Sequence, residues 1–242
     1  MARTFYDSLG LNEDIELDLS MLEATGELLH DESKNHSMAS MHSAIAAPMW
    51  MQTSAGRFGI DLNRINPMLD MDQYYDIPAA DCPNLNFTST DYSLAIWFYW
   101  NITDDNSQVI MGKYFVSDRG WEVYLYENGA VGNRYLTVRH HHAAGATIRT
   151  ASYSDGWAFT EWHLFSYSKI GTTGYHYRDG EPITTISDVL IDPESTVGDD
   201  FRIGCRFTED SNWLKARFHR PRAWSRALTA DEHRLLYRLG YP

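Results

Sequence analysis

Short apolar and aromatic runs, separated by turn residues, recur along the whole chain. The most apolar is 92–100, with Tyr92, Leu94, Ile96, Trp97, Phe98 and Trp100. Nine residues are short for a lone core helix, so a central strand buried on both faces is expected. In 121–126 the pattern has period two. Trp121, Val123 and Leu125 share one face, and Glu122, Tyr124 and Tyr126 the other. The same alternation marks 15–19, where Ile15, Leu17 and Leu19 flank Glu16 and Asp18, and the segments 201–207 and 214–219. Shorter strands are expected at 56–62, 74–77, 109–113, 135–140, 147–150 and 161–168. Asp179-Gly180, between two such runs, predicts a type I′ hairpin. Turns are expected at 103–106 and at Glu127-Asn128-Gly129. Residues 20–55 show little periodicity and read as a long connection. One helix is predicted near the end. Thr229 and Glu232 make a capping box, Leu235, Leu236 and Leu239 an apolar stripe, and Gly240 a stop. Strand signals spaced about eight to twelve residues apart indicate an all-β sandwich or barrel.

Composition agrees with this pattern. Of 242 residues, 43% are hydrophobic, and eight Trp, fifteen Tyr and ten Phe suit pleated surfaces. A formal charge of −13 argues against a nucleic-acid partner, whose phosphates require cations. The charge is uneven: 202–242 hold nine Lys/Arg against four Asp/Glu. Either a basic closing strand lies beside acidic neighbours, or the end of the chain offers a docking surface. Only two cysteines occur, Cys82 and Cys205, and buried free thiols are expected rather than a disulfide staple. The first residues have no apolar segment of the secretory kind, and no run nears the ~18 apolar residues of a membrane span, so membrane insertion is not expected.

Four segments, in order, give the chain a family likeness. They are 92–99 around Trp97; 109–113 with Gly112, followed by Gly120-Trp121; Glu161-Trp162-His163, followed by Asp179-Gly180; and 201–204 through Trp224, Ala227-Leu228 and Glu232 to Tyr237. In these the chain resembles the laminin-G-like jelly roll of the concanavalin-A-like lectin/glucanase superfamily. The resemblance spans roughly 15–242 and implies an all-β, two-sheet antiparallel jelly-roll sandwich with a short C-terminal α-helix. Residues 1–14 are expected to form an N-terminal arm. Ala216 stands where the family often has Gly, and His219-Arg220 where it often has an acidic pair, which weakens the case for calcium. Pro221 inside the last strand implies an edge or a bulge.

The resemblance also implies a non-enzymatic module that binds glycans or scaffolds an assembly. Aromatic platforms beside amides and carboxylates in loops are the residues to expect: Asp118, Trp121, Asn128, Asp155, Trp157, Asn212 and Trp213. Enzymes of the superfamily place alternating acids on one strand, and Asp14, Glu16 and Asp18 copy that spacing, so the alternative is a glycan-processing, endo-glucanase-like enzyme, or else a secreted lectin. In His140-His141-His142 only the first and third side chains can share an ion, too few for zinc without a further ligand. Asp104-Asp105-Asn106 could serve calcium or a tight turn. No cofactor is otherwise expected. A glycan or neighbouring structural subunits, with a homo-oligomer as an option, are the expected partners. The expected setting is a virion, as in phage decoration or tail proteins of this kind, or another extracellular surface.

Overall fold

The computed structural model describes residues 10–42, 49–53, 55–62, 73–100, 107–115, 119–127, 134–142, 147–154, 160–206 and 212–240. Two sheets face each other. One runs β14 (Glu181–Ile183), β13 (Thr173–Arg178), β12 (Trp162–Ile170), β7 (Tyr92–Trp100), β17 (Ala216–Trp224), β5 (Phe58–Asp61), β4 (Met49–Gln52), and β1 (Ile15–Asp18) also pairs with β17. The other runs β15 (Ile186–Ser187), β11 (Thr147–Ser154), β10 (Arg134–His142), β9 (Arg119–Glu127), β8 (Gln108–Phe115), β16 (Phe201–Ile203), β6 (Tyr74–Ile77), β3 (Met38–His42), β2 (Leu28–His30). Every pairing among the described residues is antiparallel. The expected two-sheet jelly-roll sandwich is thus the fold.

β7 sits inside its sheet and is buried on both faces for two different reasons. Leu94, Ile96, Phe98 and Trp100 point between the sheets and join the main core with Val123, Leu125, Leu136 and Phe218. Ala95 and Trp97 point the other way, into a second cluster with Leu164, Trp224, Leu228 and Leu236. That outer cluster exists because α1 (Ala230–Gly240) lies over the sheet. The helix begins as its sequence dictates. Thr229 Oγ1 accepts from the Glu232 N–H at 3.3 Å, and Glu232 accepts from the Thr229 N–H at 2.8 Å. Gly240 closes it against the Trp97 indole, where a Cβ would meet Nε1 at 2.8 Å. His233, which the apolar stripe omitted, is also buried, held by Ser166 and Ser168 hydroxyls at 2.8 and 2.9 Å.

The Asp179-Gly180 hairpin has both φ values positive, 53° and 82°, as a type I′ turn requires. Three segments depart from expectation. Residues 20–55 are not a plain connection, because β2, β3 and β4 lie within them. These strands have three to five residues and sit at or near sheet edges, so they carry little alternation. Residues 10–14, expected in an arm, are tied to the sandwich: Leu11 is buried, its carbonyl accepts from the Trp224 indole at 2.7 Å, and Gly10 accepts from Arg226 at 3.0 Å. β1, whose alternation of apolar and acidic residues implies one buried face, has all four of its residues buried, the acids included.

The basic end of the chain pairs within the molecule. Arg217 meets Asp61 at 2.8 Å, Arg220 meets Asp18 at 2.7 Å, Arg206 meets Glu122 at 2.9 Å, and Arg226 meets Glu232 at 2.6 Å. Cys82 and Cys205 are buried thiols that form no disulfide.

Four buried imidazoles set the acid response. Burial pushes His140 and His219 down to about 4, and His176 and His233 down to about 3. The unfolded chain therefore binds protons below its ordinary histidine value of 6.5 while the folded one does not. Stability is complete above about pH 6.5 and declines toward pH 4, by up to about 1.4 kcal/mol per histidine per pH unit. Melting temperatures measured from pH 7.5 to 4.5 should fall continuously; a flat profile through that window would contradict the burial of these rings.

Candidate functional site

The site follows from how β17 is shared. Along one side β17 pairs with β7 over both of its halves. Along the other side its first half pairs with β5, through Arg217 and Phe218, and its second half with β1, through Arg222, Ala223 and Trp224. Between the halves lies a bulge: the register shifts between His219 and Arg222, and Arg220 takes a left-handed φ of 49°. Pro221, which cannot donate a ladder bond, sits here, so the bulge reading of the sequence is the one realised. β1 and β5 therefore pair with the same edge of β17 on either side of the bulge.

A cleft of about 650 Å³ occupies that gap, within the size range of small-ligand sites. Its lining includes Asp18 and Arg220, Ser20, Leu22, Arg57, Phe58 and His219. Asp18 and Arg220 form a two-point ion pair at 2.8 and 2.7 Å that bridges the two strands. His219 donates from Nδ1 to the Phe58 carbonyl at 2.6 Å, which leaves Nε2 as an acceptor without a partner. The residue is only 3% exposed, and burial keeps its ring neutral. Ser20 Oγ is a second buried polar atom with no partner. Leu22 stands 77% exposed at the cleft, and the half-buried ring of Phe58 supplies an apolar wall. The arrangement offers a hydroxyl-rich ligand both hydrogen-bonding groups and apolar surface.

The acids of β1 are engaged in structure rather than poised for hydrolysis. Asp14 lies outside the strand with φ at 55°. Glu16 accepts from Asn35 at 3.0 Å, Lys34 at 2.9 Å and Ser225 at 2.8 Å. Burial alone would raise its pKa, but those hydrogen bonds outweigh it and hold the carboxyl below its ordinary value. A glycosidic general acid needs the opposite shift. Asp18 is clamped by Arg220.

Of the residues read from the sequence as glycan contacts, Asp118, Asn128, Asp155 and Trp157 lie outside the described residues, as do Asp104, Asp105 and Asn106. Trp121 is not a platform. It is 1% exposed, packs with Phe87 and Tyr92, and donates to the Leu85 carbonyl at 2.9 Å. Its parity with Val123 and Leu125 places it in the core. Asn212 takes a φ of 64° and ties its amide to the Ser107 carbonyl at 2.8 Å, a loop-fastening role. Trp213 is half-buried and rests on Tyr74, centroids 6.0 Å apart, which in turn stacks on His42 at 4.8 Å. His140 is buried, accepting from the Tyr92 hydroxyl and donating to the Ile191 carbonyl. Among the described residues no three His, Cys, Asp or Glu side chains are grouped for a metal. The sequence reading missed Ser20, Leu22, Arg57, Phe58, His219 and Arg220 as a group, although Pro221 marked the bulge.

The outer face of the nine-stranded sheet carries a second polar arrangement. Glu122 is fully buried there, held by Arg206 at 2.9 and 3.0 Å and by Arg139 at 3.0 Å. Arg139 also covers the Tyr124 ring at 4.4 Å. Glu122→Gln leaves two largely covered guanidiniums without their carboxylate and should cost about 3–5 kcal/mol. Lys34→Ala breaks an ion pair whose lysine is 63% exposed and should cost less than about 1 kcal/mol. Urea unfolding at pH 7 separates the two. Equal losses would mean that Glu122 is solvated.

The two facing antiparallel sheets, the terminal helix and the open cleft define a lectin-like jelly-roll domain. The family model for laminin-G-type domains of the concanavalin A-like lectin/glucanases superfamily matches residues 71–232, and the chain belongs to that family. No curated protein matches it by sequence. Solved structures share the fold at low identity. A botulinum neurotoxin type C structure, described as showing that cell entry depends on two ganglioside molecules, superposes with a TM-score of 0.70 and 13% identity over 97% of this chain and 53% of that one. The botulinum neurotoxin DC binding domain in complex with SialylT gives 0.65 and 11%, over 94% and 52%. Domain 4 of AbnA, an extracellular arabinanase from Geobacillus stearothermophilus, in complex with arabinotriose, gives 0.63 and 14%, over 93% and 98%. The chain thus spans about half the length of the neurotoxin chains and nearly all of the arabinanase domain.

Proposed function

We propose that this chain is a carbohydrate-binding module that holds a short oligosaccharide in the cleft between β1 and β5. The observation that carries this reading is the cleft itself: about 650 Å³ of space whose lining residues include Phe58, the Asp18–Arg220 ion pair, and Ser20 and His219, each carrying a buried polar atom without a partner. Sugars suit such a lining, because their hydroxyls both donate and accept while their C–H faces pack on apolar surface. Support also comes from the arabinanase domain, which shares the fold over 98% of its length and is described in complex with arabinotriose. As its setting we propose a virion or another extracellular surface, where the module would meet a glycan or join neighbouring structural subunits.

A glycan array on the wild-type chain should give oligosaccharide hits. Calorimetry on the strongest hit should then show at least a tenfold loss of affinity in Phe58→Ala. Leu22→Ala, at an exposed position with little bearing on folding, should show a smaller loss in the same direction at unchanged melting temperature. An array without hits, or affinity indifferent to both substitutions, would refute the assignment. Light scattering reads the assembly directly, and a strict monomer at 100 μM (roughly the upper end of working concentrations) would argue against a homo-oligomer.

A further inference from the structure

The charges around the cleft narrow the class of sugar, on the premise that the cleft binds carbohydrate. Among the described residues, six charged side chains line it: Asp14, Asp18, Glu32, Lys34, Arg57 and Arg220. Two of the cations are already neutralised by neighbouring carboxylates. Arg220 is held by Asp18 at 2.7 Å, and Lys34 by Glu16 at 2.9 Å. Arg57 donates to the carbonyl of Leu239, at the end of α1, at 2.9 Å and has no carboxylate partner among the described residues. Of the three lining acids, Asp18 is spent on Arg220, while Asp14 and Glu32 are exposed and make no side-chain hydrogen bond or ion pair among the described residues. The free charges facing a ligand are thus two carboxylates and one guanidinium. The two unpartnered buried atoms, His219 Nε2 and Ser20 Oγ, are an acceptor and a hydroxyl. The lining is therefore richer in acceptors than in donors.

We infer that the cleft selects neutral, hydroxyl-rich sugars, such as unmodified pentose or hexose oligomers, and rejects those bearing a carboxylate. Neutral hydroxyls donate to Asp14 and Glu32 and accept from Arg57. A sialic or uronic acid brings a third carboxylate to a rim where, among the described residues and with the two ion pairs cancelled, Asp14 and Glu32 already outnumber Arg57, on a chain whose formal charge is −13. The guanidinium cannot answer it without leaving Asp14 and Glu32 to repel it. The preference separates this cleft from the neurotoxin domain described in complex with SialylT and aligns it with the arabinotriose-bound domain.

An array that prints each glycan in neutral and sialylated or uronate-bearing versions, followed by calorimetry on matched pairs at pH 7 and about 50 mM salt, tests this. Neutral members should bind at least tenfold more tightly than their acidic counterparts. In the double variant Asp14→Asn with Glu32→Gln the gap should shrink, because the acidic member gains affinity. Acidic members binding as tightly as neutral ones, or a gap unchanged in the double variant, would overturn the inference and leave the carbohydrate reading in place. Absence of binding by every member would remove the carbohydrate reading and this inference together.

Discussion

The structure depends on β17 being accepted by three neighbours at once. A regular strand offers one edge to one partner, and β17 gives a single edge to two by breaking its own register. Arg220 turns left-handed, Pro221 forfeits a donor, and the ladder resumes at Arg222 facing β1 instead of β5. The left-handed backbone costs something at a non-glycine residue. The two-point pairing of Arg220 with Asp18 opposes that cost, as does the Leu19 N–H donating to the Pro221 carbonyl at 3.0 Å. The same bulge that lets β17 serve both strands leaves the gap in which the cleft lies, so the cleft is a by-product of how the sandwich is completed.

A sandwich this aromatic buries many polar groups, and it does so by pairing them. Glu122 between two arginines, His233 between two serines, and Glu16 among Lys34, Asn35 and Ser225 are variations on one solution. Unpaired, each would face the full cost of leaving water. The concentration of arginine near the end of the chain follows from this. β17 and its flanks run beside acids from β1, β5 and β9, and the cations are largely taken up there.

Sequence reasoning succeeded where one element carries its own pattern. The run 92–100 became β7, the Asp179-Gly180 pair became the hairpin, and Thr229 with Glu232 capped α1. It failed where strands were too short to show a period, as in β2, β3 and β4. Trp121 was misread although Val123 and Leu125 already gave its parity, because closeness to a turn was weighed above alternation. The cleft was illegible for a different reason. Ser20, Phe58 and His219 come from three distant stretches, and no local motif announces that a bulge will bring them together. Only Pro221 hinted at the break.

Asp18 and Arg220 are 202 residues apart in the chain, yet their contact spans the gap between β1 and the bulge. Contacts of such sequence separation close large loops, and the entropy of doing so places them late in folding. The cleft therefore exists only where β1 and β17, from opposite ends of the described chain, have met. Occupancy becomes a gauge of completed folding: any ligand held there draws the population toward the fully zipped form by mass action.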